Sequence, residues 1–200
     1  MTNFNLKKKD YFSQDFSQLK LSDHEINATT FEECRFNDCN LSAACFKKCW
    51  FIDCRFENCN LSVAKFDFSR FVDVVFQDCK AIGINWTTVD WPTIALSSPL
   101  HFENCMLNDN SFLGLNLSRL VIKNCDAHDV DFRDGVFSDA DFTHTDFANS
   151  LFNGTDLTGA DFTEAVNYNI NIMNNKIKNA RFSRFEAIRL LEWLDIELID

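Results

Sequence analysis

Nine cysteines, four histidines and a dense run of aspartates are the residues of this chain whose chemistry could support metal binding, redox reactions or catalysis. Cysteines and histidines at short fixed spacings would indicate zinc, and paired aspartates in a water-excluding cleft would indicate acid–base catalysis. The four histidines (His24, His101, His128 and His144) share no ligand spacing. The cysteines instead follow the period that organises the whole chain.

That period is five residues. Every fifth residue from Tyr11 to Leu96 is apolar, and after one inserted residue the series resumes at Phe102 and continues to Phe182, with Asn167 as its exception. We call this the core position, and 18 of the 22 phenylalanines occupy it. Two residues before it the chain is mostly small, and eight of the nine cysteines lie there, whereas Cys45 should face outward. Since a small buried thiol packs well, we predict neither a metal site, nor a disulfide, nor any cofactor.

Four such repeats make one coil, because the segment 31–42 recurs twenty residues later as 51–62. Helices and flat strands have periods of 3.6 and 2.0, so neither explains a period of five. The sequence therefore predicts an all-β solenoid, a right-handed quadrilateral β-helix of nearly nine coils about 4.8 Å apart. Its predicted parts are a lead-in at 1–10, one solenoid at 11–182 with a one-residue register break around 92–101, and a C-terminal segment at 183–200.

The C-terminal segment begins with Ser183 and Glu186 at the spacing of a capping box, which predicts a helix of about ten residues. The tail 195–200 then alternates like a short strand. A helix followed by an apolar strand exceeds what a cap requires, and we predict a dimer interface there. Its residues are Phe185, Ile188, Leu191, Leu194, Ile196 and Leu198.

Acidic residues are concentrated in the second half. The net charge of −11 divides into −2 for residues 1–100 and −9 for residues 101–200. Ten acids and one base lie within 126–164, and in the register all ten face outward. We call these ten residues the acidic band: Asp126, Asp129, Asp131, Asp134, Asp139, Asp141, Asp146, Asp156, Asp161 and Glu164.

The fold does not require this acid, because basic residues and asparagines, such as Arg35, Asn40, Arg55 and Asn60, occupy equivalent positions in the first half. The band is locally at least as dense in charge as duplex DNA, which carries about one charge per 1.7 Å. Such a surface should bind proteins that have a basic DNA groove and should repel nucleic acid itself.

The recurring pattern Cys/Ala–Asn/Asp–Phe/Leu–Ser/Thr–X resembles that of the pentapeptide-repeat proteins and extends over essentially the whole chain. Within that family the chain resembles the topoisomerase-protecting group, which includes the Qnr quinolone-resistance proteins and the mycobacterial protein MfpA. The resemblance is greatest to the albicidin-resistance protein AlbG. It rests on three segments: 79–92 (CKAIGINWTTVDWP), 165–170 (AVNYNI) and 194–198 (LDIEL).

The resemblance implies a head-to-head homodimer through the C-terminus and DNA gyrase as the partner, with topoisomerase IV as a second candidate. It also implies protection of that enzyme from poisons of the albicidin or quinolone type. Qnr proteins of Gram-negative bacteria carry two longer loops, whereas a one-residue interruption is all that the series shows here. That difference favours an albicidin-like poison.

Other classes fit less well. The first ten residues have no apolar segment and no run of eighteen apolar residues occurs, so we expect a cytoplasmic chain that is neither secreted nor bound to membranes. A packed rod with outward carboxylates has no cleft for catalysis, so we expect no enzyme and no catalytic residue. The alternative is a scaffold or protein-interaction solenoid with a non-topoisomerase partner.

Overall fold

Parallel pairing at an offset of twenty residues builds the chain. In the computed structural model, which describes residues 5, 8–92, 100–194, 196–197 and 199, Phe16 pairs with Phe36 and Phe36 with Phe56. The same pairing continues to Phe162 and Phe182, eight turns from the start of this series. The predicted fold class is therefore confirmed.

Fourteen short strands are found in the described part of the chain, ten of them before residue 78. They are β1 Asp10–Phe12, β2 Asp15–Ser17, β3 Glu25–Asn27, β4 Thr30–Glu32, β5 Arg35–Asn37, β6 Cys45–Lys47, β7 Trp50–Ile52, β8 Arg55–Glu57, β9 Arg70–Val72, β10 Val74–Gln77, β11 Leu100–Glu103, β12 Val121–Lys123, β13 Asp161–Phe162 and β14 Arg181–Phe182. The largest sheet has the order β12-β11-β10-β8-β5-β2, and the next has the order β1-β4-β7-β9. In the second half many coils are joined by isolated bridges instead, such as Asp126 with Asp146.

Each turn has four faces, which we number by the first core residue on each. Face 1 begins at Tyr11, face 2 at Phe16, face 3 at Leu21 and face 4 at Ile26. At most corners, the residue two positions after the core residue has a positive φ, for example 52° at Val63. This conformation lets the chain turn repeatedly even though the sequence has only five glycines.

The interior is a set of stacked side chains. The ring centroids of Phe36 and Phe56 lie 4.6 Å apart, and those of Phe56 and Phe76 lie 4.9 Å apart. Nearly all core positions up to Phe162 are buried. Aromatic stacking at this distance adds to the stabilisation that burial alone supplies.

The buried cysteines share a hydrogen-bonding role with serine and threonine. The thiol of Cys59 donates to the carbonyl of Phe36, 23 residues earlier, at 3.2 Å, as the hydroxyl of Ser69 does to Phe46 at 3.0 Å. All nine cysteines are free, and eight of them are buried. Burial raises the pKa of Cys49 to about 11, so this thiol is neutral at physiological pH. These contacts support the packing role that the repeat predicted.

One coil is longer than the series predicted. Twenty-six residues separate the paired Phe76 and Phe102, where twenty separate Phe56 and Phe76, so this coil carries six additional residues. The predicted one-residue break was wrong in length because Leu96 continued the apolar spacing and was counted as a core residue. Leu96 lies within 93–99, outside the described residues.

The irregular Asn167 faces outward. Tyr168 takes the interior place beside it and is 1% exposed, while Asn167 itself is exposed with a φ of 57°. Pairing shortens locally, since Phe152 bridges Ile170, and returns to the offset of twenty where Asp156 bridges Lys176. The coil is therefore deformed so that the Asn167 side chain stays outside the core.

The C-terminal helix is present, but its predicted capping box does not form. A 3₁₀ helix extends over Glu186–Leu194. The hydroxyl of Ser183 instead donates to Glu164 at 2.9 Å and accepts from the backbone N–H of Glu164 at 2.7 Å. The Glu186 carboxylate accepts from Arg189. Because the Ser183 hydroxyl is bonded to Glu164 of the preceding coil, it does not cap the helix.

The tail beyond the helix is described at residues 196, 197 and 199, which are not in a strand, while Asp195, Leu198 and Asp200 lie outside the described residues. The tail strand stays a prediction. No helix in the part of the chain that the structure describes is long and apolar enough to cross a membrane.

Candidate protein-interaction surface

The ten acids of the acidic band all lie on the outside of the solenoid. Each is exposed or half-buried, and none enters the core. Asp126 is bridged directly to Asp146, and Asp141 to Asp161, so these carboxylates stack one strand spacing apart. Their outward placement agrees with the register; their role in binding stays a prediction.

Half of the band also serves the backbone. A side-chain oxygen of each of five aspartates accepts the backbone N–H two residues further on, and Asp141 does so from Thr143 at 3.0 Å. The other four are Asp131, Asp146, Asp156 and Asp161. In the first half the Asn60 amide does the same for Ser62 at 3.1 Å. Because a neutral amide is sufficient, the negative charge exceeds what the corner requires.

Three of these five carboxylates have a nearby cation, and a fourth lies beside a histidine. Asp131 pairs with Arg133 at 2.8 Å and Asp156 with Lys176 at 3.2 Å. Asp161 pairs with Arg181, and the carboxylate of Asp146 lies 3.1 Å from Nε2 of His128.

These contacts lower carboxyl pKa values. A side-chain hydrogen bond from Arg133 holds the pKa of Asp131 below its ordinary value. For Asp156, the hydrogen bond from Thr158 is the main cause of the lowered pKa, and Lys176 adds to it. Partial burial opposes the shift at Asp161, but Thr163 and Arg181 outweigh it and the pKa is lowered. These carboxylates are ionised at neutral pH, partly compensated by neighbouring cations.

Another set within the band has no such compensation. Asp126, Asp129, Asp134 and Asp139 are exposed and form no ion pair with another described residue. Three of them, Asp129, Asp134 and Asp139, lie at successive corners of one coil with φ of 56–57°. This coil presents uncompensated negative charge on several sides.

Two glycines leave room for these corner carboxylates. The carboxylate of Asp134 lies where a side chain at Gly154 would begin, and that of Asp139 lies in the same relation to Gly159. Both glycines have positive φ, 69° and 72°. A larger residue at either position would displace the acid and strain the corner.

The C-terminal helix is joined to the acidic band by polar contacts. Asn167 donates to Asp146 at 2.9 Å and accepts from Arg189 of the helix at 3.3 Å. Trp193 donates to the side chain of Asn169 at 3.0 Å. The helix therefore rests against the last coils with a defined orientation.

The helix leaves apolar side chains in solvent. Phe185 is 89% exposed and Ile188 is 52% exposed. Leu194 and Ile196 are also exposed, Leu191 is half-buried, and Leu198 lies outside the described residues. The described residues of this set form an apolar surface, and the dimer interface stays a prediction.

Sequence reasoning missed an exposed apolar cluster in the first half. We call it the aromatic edge, and it consists of the exposed apolar residues Trp50, Phe68 and Val72 together with the half-buried Ile52 and the exposed Arg70. Its clearest signal in the sequence is Phe68, one of four phenylalanines outside the core position.

The repeat itself has been seen in other proteins. A family model described as the pentapeptide repeat region matches residues 29–99 and 85–162. The chain belongs to the pentapeptide-repeat family. Among curated protein sequences, none matches it.

Solved structures of the quinolone-resistance protein QnrB1 share the fold. A trypsin-treated point variant of QnrB1, a plasmid-mediated fluoroquinolone resistance protein, is 17% identical with a TM-score of 0.71, and the match covers 96% of this chain and 100% of that chain. Full-length QnrB1 is 16% identical with a TM-score of 0.65, and the match covers 94% of this chain and 100% of that one. At this identity the likeness establishes the solenoid fold. The greater resemblance to AlbG stays a prediction.

Proposed function

We propose that this chain is a cytoplasmic, non-enzymatic DNA mimic that binds DNA gyrase through its acidic band and protects it from topoisomerase poisons. Topoisomerase IV is the second candidate partner. The observation that carries the proposal is the charge in excess of structural need: Asn60 serves its corner as an amide, whereas the equivalent corners of the band use aspartate.

The excess charge has an energetic consequence. Like charges stacked one strand spacing apart repel each other, so the band lowers the stability of the free protein. A basic groove shaped for duplex DNA would relieve that repulsion and release bound counterions. Nucleic acid would be repelled by the same surface, which makes a DNA-binding protein the partner of suitable chemistry.

A homodimer would complete the mimic. The exposed Phe185 and Ile188 lie at the end of the rod next to the acidic band. Burying these side chains against a second copy would bring two acidic bands to either side of a two-fold axis. A dimer formed in this way would be about 80 Å long, twice the eight-turn rod at strand spacing.

The class of poison is open between two candidates. The short interruption favoured an albicidin-type poison, but the six additional residues between Phe76 and Phe102 remove that argument. QnrB1 is described as a fluoroquinolone resistance protein and shares the fold. We therefore propose that both drug classes be tested on the same preparation.

The decisive experiment measures gyrase binding and drug-inhibited supercoiling with matched variants. The triple variant Asp129→Asn, Asp134→Asn and Asp139→Asn removes three corner charges while keeping residues that tolerate positive φ. The control variant Asp38→Asn, Asp53→Asn and Asp78→Asn removes three charges from equivalent corners of the first half, where φ is 50–53°. Both sets should melt within a few degrees of the parent.

We expect the band variant to bind gyrase at least tenfold more weakly, with a shallower dependence of affinity on salt, because fewer counterions are released. The control should stay within about twofold of the parent. Supercoiling in the presence of albicidin or a fluoroquinolone should be restored by the parent and the control. Equal loss in both variants, or loss in neither, would contradict a role specific to the band.

The alternative function is a scaffold or protein-interaction solenoid with a non-topoisomerase partner, favoured by exposed apolar residues outside both the acidic band and the aromatic edge, such as Phe12. If the parent fails to bind both gyrase and topoisomerase IV at low salt, the DNA-mimic proposal is wrong and this alternative remains.

A further inference from the structure

The aromatic edge lies along the corner between face 4 and face 1 in the first half. Trp50 is 43% exposed, Phe68 is 63% exposed and Val72 is 42% exposed. Trp50 pairs with Arg70, and Ile52 with Val72, so the five side chains occupy two neighbouring coils. Exposed apolar side chains gathered in this way are typical of a contact surface.

The backbone at Phe68 makes its side chain a costly choice for folding. Its φ is 55°, a left-handed conformation that disfavours bulky residues. On later coils the same corner carries Gly114 and Gly154, with φ of 68° and 69°. A solvent-exposed phenylalanine at such a corner contributes no more to the core than asparagine or glycine would. The side chain is therefore better explained by binding than by folding.

The neighbouring Trp50 is held in place before any partner binds. The guanidinium of Arg70 lies over its ring at 4.9 Å. The same guanidinium bonds the carboxylate of Asp90 at 2.6 Å. Because the indole is oriented in the free protein, little side-chain freedom is lost on binding. Tryptophan and arginine are also the residue types most often found at the energetic centres of interfaces.

The aromatic edge and part of the acidic band lie along the same corner of the solenoid. Phe68, Gly114 and Asp134 occupy the same corner on successive turns, with one coil between the first two. Phe68 therefore lies three strand spacings, about 15 Å, from Asp134. A protein whose basic groove binds along this corner of the solenoid would contact the aromatic edge just beyond the acidic band.

We propose that the aromatic edge is a second contact, made mainly by uncharged side chains, for the same protein that binds the acidic band. That protein lies against the solenoid at the corner between faces 4 and 1. The partner would present a basic groove and, about 15 Å further along, an aliphatic surface. This inference rests on the proposed function, and it adds which side of the rod is covered and which residues hold it there.

The test measures gyrase affinity over a series of salt concentrations for variants of the edge. Phe68→Asn with Trp50→Thr removes both rings, and each new residue suits its position, since Thr30 precedes Trp50 in the ladder. Val63→Asn is the matched control: Val63 has a φ of 52° and is 52% exposed, but it lies on another corner of the same coil. Phe68→Asn alone is the fallback should the double variant not fold.

We expect the double variant to bind at least tenfold more weakly at every salt concentration, with the slope of log affinity against log salt unchanged, because no charge has been removed. Val63→Asn should bind within about twofold of the parent. The inference is overturned if the edge variants bind like the parent while the Asp129, Asp134 and Asp139 variant binds weakly; the proposed function then stands without it. If the parent does not bind gyrase, both fail. A double variant that loses self-association while keeping gyrase affinity would show a second copy on this edge and also overturn the inference.

Discussion

The two halves of the solenoid have the same interior and different corners. In the first half many corners are bends with positive φ that follow an extended strand on the preceding face, and β1 to β10 all lie there. In the second half most corners are tight turns, several of them closed by an aspartate oxygen that accepts a backbone N–H, as at Asp141 and Asp161. At equivalent positions Arg35 and Arg55 lie within strands β5 and β8. The type of residue before the core position thus differs between the two kinds of corner, while the core is the same in both halves.

This difference separates the structural role of the aspartate oxygen from the role of its charge in binding. Both the arginines and the asparagines at equivalent positions of the first half indicate from the sequence that the fold does not require acid there. Those arginines belong to a different kind of corner, so they are a poor control. The proper comparison is with Asn40 and Asn60, which close tight turns as neutral amides. The oxygen serves the fold, and the charge is left for binding.

The largest test of this comparison concerns the shared interior. Phe56→Ala should destabilise the protein by about 3–5 kcal/mol, through lost burial and the cavity that remains. Phe142→Ala in the second half should cost less by about 0.5–1.5 kcal/mol, because stacking is less complete there. Phe56 is stacked between Phe36 and Phe76, whereas Phe142 meets Phe162 at a tilt of 53° and has Ile122 on the other side.

Urea unfolding of both variants measures this difference. A solenoid of this kind can lose cooperativity, so fluorescence and circular dichroism transitions should first be shown to coincide. If Phe142→Ala destabilises the protein more than Phe56→Ala does, the expectation that aromatic stacking stabilises the second half less is wrong.

The second test concerns the corners. Asp141→Ala removes the acceptor for the Thr143 N–H and should cost about 1 kcal/mol, as loss of a helix cap does. Asp141→Asn should cost little, since the amide oxygen still accepts. Arg55→Ala, in strand β8, should change stability by less than about 0.5 kcal/mol, because its contacts are exposed. An equal cost for Asp141→Ala and Asp141→Asn would mean that the charge, and not the acceptor, stabilises the corner.

The sequence predicted the core of this protein almost completely and its exceptions poorly. A period of five with large and small inward residues has few physical realisations, so the stacking of Phe36, Phe56 and Phe76 follows from counting. Counting failed between Phe76 and Phe102, where the coil carries six additional residues, and where the chain moved a neighbour inward, as Tyr168 does beside Asn167. Both departures depend on three-dimensional pairing that a one-dimensional period does not contain.

The surface was predictable only in part. The acidic band followed from the register, but the cations that compensate Asp156 and Asp161 come from the next coil, twenty residues away. The aromatic edge had a signal, because Phe68 interrupts the rule that phenylalanine is internal. The importance of Phe68 could be recognised only from the backbone conformation, because its positive φ makes a bulky residue there costly for folding.

The smallest effect expected is a pH dependence of stability that arises from four carboxyls of the second half. The carboxyls of Asp131, Asp146, Asp156 and Asp161 have lowered pKa values in the folded protein. Their contribution to stability is therefore fully present above the ordinary value of about 4 and is lost as the pH falls through the folded values. Each group should contribute about 0.5 kcal/mol, since all four are partly exposed to solvent. Replacing the four by asparagine keeps every N–H acceptor and removes their titration, so the urea midpoint of the variant should fall less than that of the parent between about pH 5 and pH 2. Parallel curves for variant and parent would show that the stacked carboxylates repel each other as strongly as their cations and N–H donors stabilise them.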